Sequence, residues 1–482
     1  MTANLGAITP ELLIAALGVV LLVVDLVTAP SQKRLAGWIG VGGLLVALVP
    51  TAELLGGPPH FAFAETYAID AFAAFFKGIA ILSGVLVLLA AMEFFQGRKT
   101  RYEGEIYSLI VFMVLGLAMM AAAADLILLF LAIEFVSLIS YVLAGALKGD
   151  PKSNEAGIKY FFFGAAASAA MLYGFSFLYG AAGTTNIYRL MQHTAFLNSG
   201  FLGLAVMLVL AGLGFKISIV PFHQWTPDVY EGAPTPITAF LSVGSKAAAF
   251  AALLRVFSVA LPTYGWVTIL AGLAAVTMTL GNLVALSQQN IKRMLAYSSI
   301  AHAGYMLIGV VAQASNPAGP WSGQGAVLFY LLGYTFTNMG AFAVAISVER
   351  ALGSDAIPDY AGLSTRAPFS ALAMAVFMLS LTGIPPTALF FGKFFLFAAA
   401  INTGFLWLAV VGILNSVVSL FYYAGVIRAM YQMPAPDGAP ALPETSLVRT
   451  LLTVTVAVTV FIVFFLERVI SVVTAAATLG RY

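Results

Sequence analysis

The chain has 482 residues, 61% hydrophobic and only 9% charged, with a formal net charge of +2. An ordinary soluble domain carries roughly 25% charged residues, so this composition excludes a water-soluble fold and predicts an all-α polytopic membrane protein embedded in a lipid bilayer. The small net charge gives no nucleic-acid signal, and the absence of cysteine excludes disulfides, thiolate metal sites, iron–sulfur clusters and a cysteine nucleophile in this chain.

Apolar stretches long enough to cross about 30 Å of hydrocarbon begin near Pro10, Gly37, Asp70, Glu105, Leu126, Ile158, Phe201, Pro236, Trp266, Ala296, Gln324, Ser370, Phe405 and Leu447. This predicts about fourteen transmembrane helices. The first run, Leu12 to Val27, follows no charged leader and reads as a retained span. The longest loops, around Thr184 to Gly200 and Pro434 to Pro443, are too short for a soluble domain, so residues 1–482 read as one membrane domain.

The basic residues test this topology. With the N-terminus outside, the inside loops hold 14 of the 22 Lys and Arg, among them Lys33, Arg98, Lys148, Lys292, Arg350 and Arg428. Only Arg189, Arg255, Arg468 and Arg481 fall outside, and Lys77, Lys216, Lys246 and Lys393 lie within spans. That bias is the positive-inside pattern, and it places both termini on the periplasmic side of a bacterial inner membrane.

Two spans carry breaks. The seventh reads Gly214-Phe215-Lys216-Ile217-Ser218-Ile219-Val220-Pro221, and the twelfth reads Thr382-Gly383-Ile384-Pro385-Pro386 with Lys393 beyond. A charge at bilayer depth costs roughly 3 kcal/mol on insertion scales, so such residues face a wet interior and have a function. Interrupted helices are tolerated only where protein or water satisfies the freed backbone groups. Five spans separate the breaks, an odd number, so the two segments cross in opposite directions as in an inverted repeat. The expected units are helices 4–8 over residues 105–260 and helices 9–13 over 264–432, preceded by helices 1–3 over 1–104 and followed by helix 14 over 445–482.

Polar residues fall in stripes at helical spacing. Glu134, Ser137 and Tyr141 share a face of the fifth span, and Ser242 lies one turn before Lys246 in the eighth. Ser298, His302 and Tyr305 line the tenth; Asn415, Ser419 and Tyr422 line the thirteenth. The hydroxyls, the asparagines and His302 equally suit helix–helix packing. Lys77, early in its span, reads as a lysine that snorkels to the interface, and Asp25 and Asp125 read as solvated residues near span ends.

The run from Pro221-Phe222-His223-Gln224-Trp225-Thr226-Pro227-Asp228 to Ala233-Pro234-Thr235-Pro236 and on to Ser245-Lys246, with Ile291-Lys292-Arg293-Met294 further along, resembles the antiporter-like membrane subunits of respiratory complex I. Its wording is that of the subunit N family of bacterial NADH:quinone oxidoreductase. The resemblance implies fourteen helices, two inverted five-helix repeats and discontinuous helices 7 and 12. It assigns proton transfer to Glu134, Lys216, Lys246 and Lys393; the polar stripes and the helix breaks themselves put His302, Ser242, Ser298, Tyr305, Pro221 and Pro385 in support. No cofactor or metal is implied in this chain; NADH, FMN, iron–sulfur clusters and quinone belong to partner subunits. The implied partners are a neighbouring antiporter-like subunit, small membrane subunits and, indirectly, the peripheral redox arm.

In this reading the Glu134 to Lys216 separation sets whether the lysine keeps its proton. Lys246 relays through water held by Ser242 and Ser298, and Lys393 passes the proton on. The charges alone equally fit a subunit of a multi-subunit cation/proton antiporter or of a membrane-bound hydrogenase, a stand-alone secondary transporter, or a structural role within a complex. The orientation is testable directly, because the chain is free of cysteine. A cysteine at Thr100 is expected to react with impermeant thiol reagents only from the cytoplasmic side and one at Ser315 only from outside; reversed labelling overturns the topology.

Overall fold

Within hydrocarbon each crossing must satisfy its own backbone hydrogen bonds, and this chain does so with helices. The computed structural model describes residues 5–96, 98, 102–194, 199–261, 265–313, 322–436, 442 and 444–479; Thr100 and Ser315 lie outside them. The first six crossings are α1 (Thr9–Val27), α2 (Arg34–Leu54), α3 (Ala71–Phe95), α4 (Glu103–Ala122), α5 (Leu126–Ala144) and α6 (Pro151–Ala182). A short helix, α7 (Ile187–Thr194), precedes the broken seventh crossing, α8 (Ser199–Ile217) and α9 (Trp225–Gly232). The eighth runs through α10 (Thr235–Phe240), a π-helical turn at Leu241–Ser245 and α11 (Lys246–Arg255). Then come α12 (Trp266–Ala285), α13 (Ile291–Gln313), α14 (Gly323–Leu352) and the short α15 (Leu363–Arg366). The broken twelfth crossing is α16 (Pro368–Thr382) and α17 (Ala388–Asn402), followed by α18 (Leu406–Gln432), α19 (Ser446–Phe461) and α20 (Leu466–Ala476). Among the described residues thirteen helices are long and apolar enough to span a bilayer, and the apolar pair α16 and α17 completes the fourteen crossings.

Helix starts and stops follow local chemistry. Asp150 accepts from the Lys152 N–H at 2.9 Å ahead of Pro151, and Gly183, at φ 66°, closes α6. Two helices begin upstream of their apolar runs: α6 at Pro151 and α13 at Ile291. Their charged first turns are held by ion pairs, Lys152 to Glu231 at 2.9 Å and Arg293 to Asp228 at 2.7 Å. A hairpin of β1 (His60–Ala62) and β2 (Tyr67–Ile69) in the second loop was not legible in the sequence. Its turn places Phe63, Ala64 and Glu65 at positive φ and carries none of the glycine or asparagine that usually announces such a turn.

The inverted repeat is visible in two independent places. Ser218 (φ 64°) ends α8 as Gly383 (φ 91°) ends α16. The Ile219 N–H then returns to Gly214 O at 3.0 Å, and the Ile384 N–H returns to Leu379 O at 3.0 Å. Pro221 and Pro386 each stand three residues beyond the left-handed residue, so Pro386, next to the expected Pro385, is the counterpart of Pro221. The loops match as well. The Leu126 N–H bonds Thr185 O at 2.9 Å and the Ile187 N–H bonds Ala124 O at 2.8 Å, while Ile291 bonds Asp355 O and Ile357 bonds Gln289 O, both at 2.8 Å. One loop pair lies ahead of the fifth crossing and the other ahead of the tenth, hence on opposite faces of the protein.

Three acid and lysine positions differ from expectation. Lys77 does not snorkel; it is fully buried, and its ammonium pairs with Glu11 Oε1 at 2.8 Å, which also accepts from the Tyr67 hydroxyl at 2.6 Å. Asp25 is buried against Lys33 at 2.6 Å. Asp125 is a buried helix cap that accepts from the Ile127 N–H at 2.8 Å and from the Thr185 hydroxyl. In each case a partner from another segment replaces the water that the sequence alone suggested. Removing one member of a buried pair strands the other charge at a cost of about 3–5 kcal/mol. Lys77→Met is therefore expected to lower the melting temperature of the solubilised protein strongly, and adding Glu11→Gln to restore most of it. Equal losses in the single and double variants would assign the effect to packing.

Candidate functional site

Lys216 occupies the last turn of α8, two residues before the left-handed Ser218, and is 3% exposed. Among the described residues its Nζ has no hydrogen-bond partner and sits 5.8 Å from the Tyr160 ring centre. Tyr160 stacks on Trp225, with centroids 4.3 Å apart and planes 12° apart. Trp225, at the start of α9, donates its Nε1–H to Phe215 O at 3.0 Å, tying the second half of the broken helix to the end of the first. The Val220 N–H is taken up by Thr277 Oγ1 of α12 at 3.1 Å. The freed backbone of the break is thus satisfied by side chains from α9 and α12.

Glu134 is not a direct partner of Lys216. The carboxylate is half-buried on α5, accepts from the Ser168 hydroxyl of α6 and forms no ion pair with Lys216 among the described residues. Leu131, Phe135 and Leu138 beside it are exposed. Isolation in an apolar span signalled an unusual carboxylate, but not which way it faces.

Lys246 opens α11 directly after the π-helical turn and is fully buried. Its Nζ donates to Ser299 O at 2.8 Å and to Ser299 Oγ at 2.6 Å. The expected Ser298 is instead engaged with the Tyr423 hydroxyl at 2.5 Å. Ser242 accepts from Asn338 Nδ2 at 2.7 Å rather than serving Lys246. A π turn inserts one residue per turn and often marks a functional site; here it sets the direction of Lys246.

Further buried polar groups follow along α13. His302 Nδ1 lies 2.5 Å from the Tyr330 hydroxyl and Nε2 3.1 Å from that of Tyr423. Tyr305 meets the His302 ring edge-on at 5.8 Å. Lys393 Nζ lies 4.5 Å from the Tyr305 ring centre and donates to Thr382 O at 2.8 Å and Leu381 O at 3.2 Å. This ammonium caps the C-terminal end of α16, where orphan carbonyls and the helix dipole favour a cation. Gly383 is required twice over, by its φ of 91° and because a Cβ would come within 2.9 Å of Lys393 Cδ.

The structure therefore brings Lys246, Ser298, His302, Tyr305 and Lys393 into one buried file and leaves Glu134 and Ser242 beside it. Sequence reasoning missed Ser299, Tyr330, Tyr423, Asn338, Ser168 and Trp225. Tyr330 and Tyr334, at i and i+4 in α14, were the available signal for the first tyrosine. Among the described residues no group of three or more His, Cys, Asp or Glu side chains is arranged to hold a metal ion.

Residues 123–419 match the family of NADH:quinone oxidoreductase/Mrp antiporter membrane subunits. Over 478 residues the chain is 42% identical to NADH-quinone oxidoreductase subunit N of Heliobacterium modesticaldum, covering 98% of this chain and 99% of that protein. The chain belongs to the subunit N family of NADH-quinone oxidoreductases. Over 450 residues it is 45% identical to subunit N 2 of Chloroherpeton thalassium, covering 90% of this chain and 86% of that protein. A chain of respiratory complex I from Thermus thermophilus matches with a TM-score of 0.82 at 34% identity, covering 97% of this chain and all of that one. A chain of the Mrp complex from Dietzia sp. shares the fold, with a TM-score of 0.85 at 22% identity over 99% of this chain and 98% of its own length.

Tyr423 is the hydroxyl that joins Ser298 to His302. A positioned proton-transfer group contributes at least about a hundredfold at full effect, and a hydroxyl that bridges two others a part of that. Tyr423→Phe is expected to slow NADH:quinone turnover of the assembled enzyme by roughly tenfold; unchanged turnover would make it a packing residue.

Proposed function

We propose that this chain is the proton-translocating membrane subunit N of an NADH:quinone oxidoreductase and that it carries protons along Glu134, Lys216, Lys246, His302 and Lys393. One observation carries the reading: three titratable groups are buried about α13, Lys246 on Ser299, His302 between the hydroxyls of Tyr330 and Tyr423, and Lys393 against the Tyr305 ring, with Lys216 at the first helix break and Lys393 at the second. Each of these three lysines is held by neutral oxygens or ring faces rather than by a carboxylate. A lysine in that setting is poised to give up its proton, because no counter-charge locks the ammonium in place.

The two halves play different parts. Lys216 precedes its break and Lys393 follows its own, so a small movement at either break changes what each ammonium touches. Glu134, half-buried on α5, sits where a neighbouring membrane subunit covers it, and its charge biases Lys216 through space. Hydroxyls of Ser299, Tyr330 and Tyr423 lie between the titrating groups and pass protons by rotating. The driving energy comes from quinone reduction in partner subunits, which hold the flavin, the iron–sulfur clusters and the sites for NADH and quinone. An Mrp-type antiporter shares the fold, but the sequence identity to subunit N proteins favours the quinone-linked complex.

The orientation follows the basic loops, with both termini on the periplasmic face of the inner membrane. The ion pairs Arg98 to Glu349 at 3.0 Å, Lys292 to Asp355 at 3.0 Å and Lys152 to Glu231 at 2.9 Å gather on the opposite, cytoplasmic face, in support of this.

Lys216 gives the decisive test. Arginine keeps the charge but cannot release a proton in a protein. Lys216→Arg and Lys216→Ala are both expected to abolish most proton pumping while the complex still assembles. An arginine variant with full pumping would leave Lys216 a purely structural cation.

A further inference from the structure

The first turns of α4 and α6 and the last turn of α5 enclose a cavity of about 620 Å³ on the face where the basic loops gather. That volume falls within the range of ligand sites, about 300–1,000 Å³. Lys216, Lys246, His302 and Lys393 take no part in its lining. Glu105, in the first turn of α4, and Lys148, in the loop after α5, stand at the helix ends and are exposed. Leu109 and Ile158, each about a turn further into its helix, and Val142 of α5 form an apolar wall below them. Val142 and Ile158 are 60% and 58% exposed, so this wall opens toward hydrocarbon.

The loop that carries Lys148 is fixed. The Ser153 hydroxyl donates to Ala144 O at 2.9 Å and accepts from the Leu147 N–H at 3.3 Å, while Asn154 Nδ2 donates to Lys148 O at 3.1 Å. The Lys148 ammonium lies 4.3 Å from the centre of the Tyr102 ring. Nearby Lys152 and Lys159 are paired with Glu231 at 2.9 Å and Asp228 at 2.6 Å. Lys148 and Glu105 differ: among the described residues neither forms an ion pair, even with the other, although both line one cavity. An acid and a base held apart at the mouth of an apolar groove suit a ligand that carries both charges.

We infer that this cavity seats one phosphatidylethanolamine, its phosphate on Lys148, its primary ammonium on Glu105 and its acyl chains along Leu109, Val142 and Ile158. The helix ends lie where lipid headgroups lie, and tyrosine and lysine are the residues that meet them there. Each end of the zwitterion gains a charge-assisted hydrogen bond. An anionic lipid would satisfy Lys148 and set its own charge against Glu105. A choline headgroup has no N–H to give Glu105, and the aromatic face that would attract its quaternary ammonium is already occupied by Lys148. The inference is independent of the proton-translocation reading. The lipid ties the ends of three helices together and touches Tyr141, which lines the cavity and shares the α5 stripe with Ser137 and Glu134.

The test uses the assembled complex in phosphatidylcholine vesicles that contain a trace of phosphatidylethanolamine with a photoreactive group on one acyl chain. After illumination, labelled peptides are mapped by mass spectrometry. Labelling is expected on the segments that carry Leu109, Val142 and Ile158. Replacing part of the phosphatidylcholine by unlabelled phosphatidylethanolamine is expected to suppress it, and the same fraction of phosphatidylglycerol to leave it unchanged. Lys148→Gln and Glu105→Gln are each expected to lower the labelling roughly tenfold, the scale of one lost hydrogen bond to a charged group. Both side chains are exposed, so both variants are expected to assemble, and unchanged NADH:quinone turnover in native membranes checks this. Equal suppression by phosphatidylglycerol, or a loss in Lys148→Gln alone, overturns the assignment in favour of an anionic lipid. Unchanged labelling in both variants reduces the groove to bulk lipid contact and overturns it as well. So does a complex labelled elsewhere but not on these segments, because a neighbouring subunit then covers the groove.

Discussion

Every feature of this protein answers to one constraint: a backbone N–H or C=O placed in hydrocarbon must find a partner. Twelve of the crossings meet it inside their own helices. The seventh and twelfth do not, and the way their loose ends are tied decides where the titratable groups stand. At the first break an indole from α9 and a threonine from α12 take up freed backbone groups, so Lys216 is released from that duty and faces an aromatic ring. At the second break the lysine itself is the cap. The same interruption, built twice on the same backbone pattern, thus yields one lysine without a fixed partner and one bound to the carbonyls of a helix end.

A second economy concerns charge. Desolvating an ion is costly unless a partner or a dipole compensates, and the molecule uses both solutions in separate regions. Near the ends of the crossings, on both faces of the protein, acids and bases are matched in ion pairs that hold helices to one another. In the middle of the protein lysines are surrounded by hydroxyls, amides, carbonyls and rings. Matched pairs suit permanence, and unmatched ammonium groups suit exchange. The boundary between the two regimes runs through the eighth crossing, where a threonine at one end serves an ion pair and Lys246, past the π turn, does not.

Much of this was legible from residues alone because charge in a membrane is conspicuous. The crossings, the basic-loop asymmetry, both breaks and the four lysines within spans all follow from the cost of burying polar groups. What sequence could not supply was azimuth. Ser298 and Ser299 differ by about 100° around a helix, and only the position of α11 decides that Ser299 meets Lys246. Tyr422 and Tyr423 pose the same problem, and the choice falls on the second for the bridge to His302. Lys77 looked like a residue near an interface because its partner, Glu11, lies on another helix. The π turn before Lys246 has no sequence signature distinct from an ordinary helix, and the left-handed hairpin turn at Phe63 to Glu65 contradicts the usual residue preferences outright. Glu134 was recognised as special, yet its half-open placement depends on what neighbours α5, which no single span discloses.

The cap at the second break has a thermodynamic implication. Because Lys393 holds the last carbonyls of α16 through its protonated amine, proton binding at that nitrogen and the geometry of the helix end are linked functions, and linkage is reciprocal. Any force that pulls α17 away from α16 does work on the proton, and any proton that arrives or departs does the same work on the helix. Neither event needs a separate lever, hinge or long connecting rod. The helix end and the ammonium are coupled through two hydrogen bonds alone.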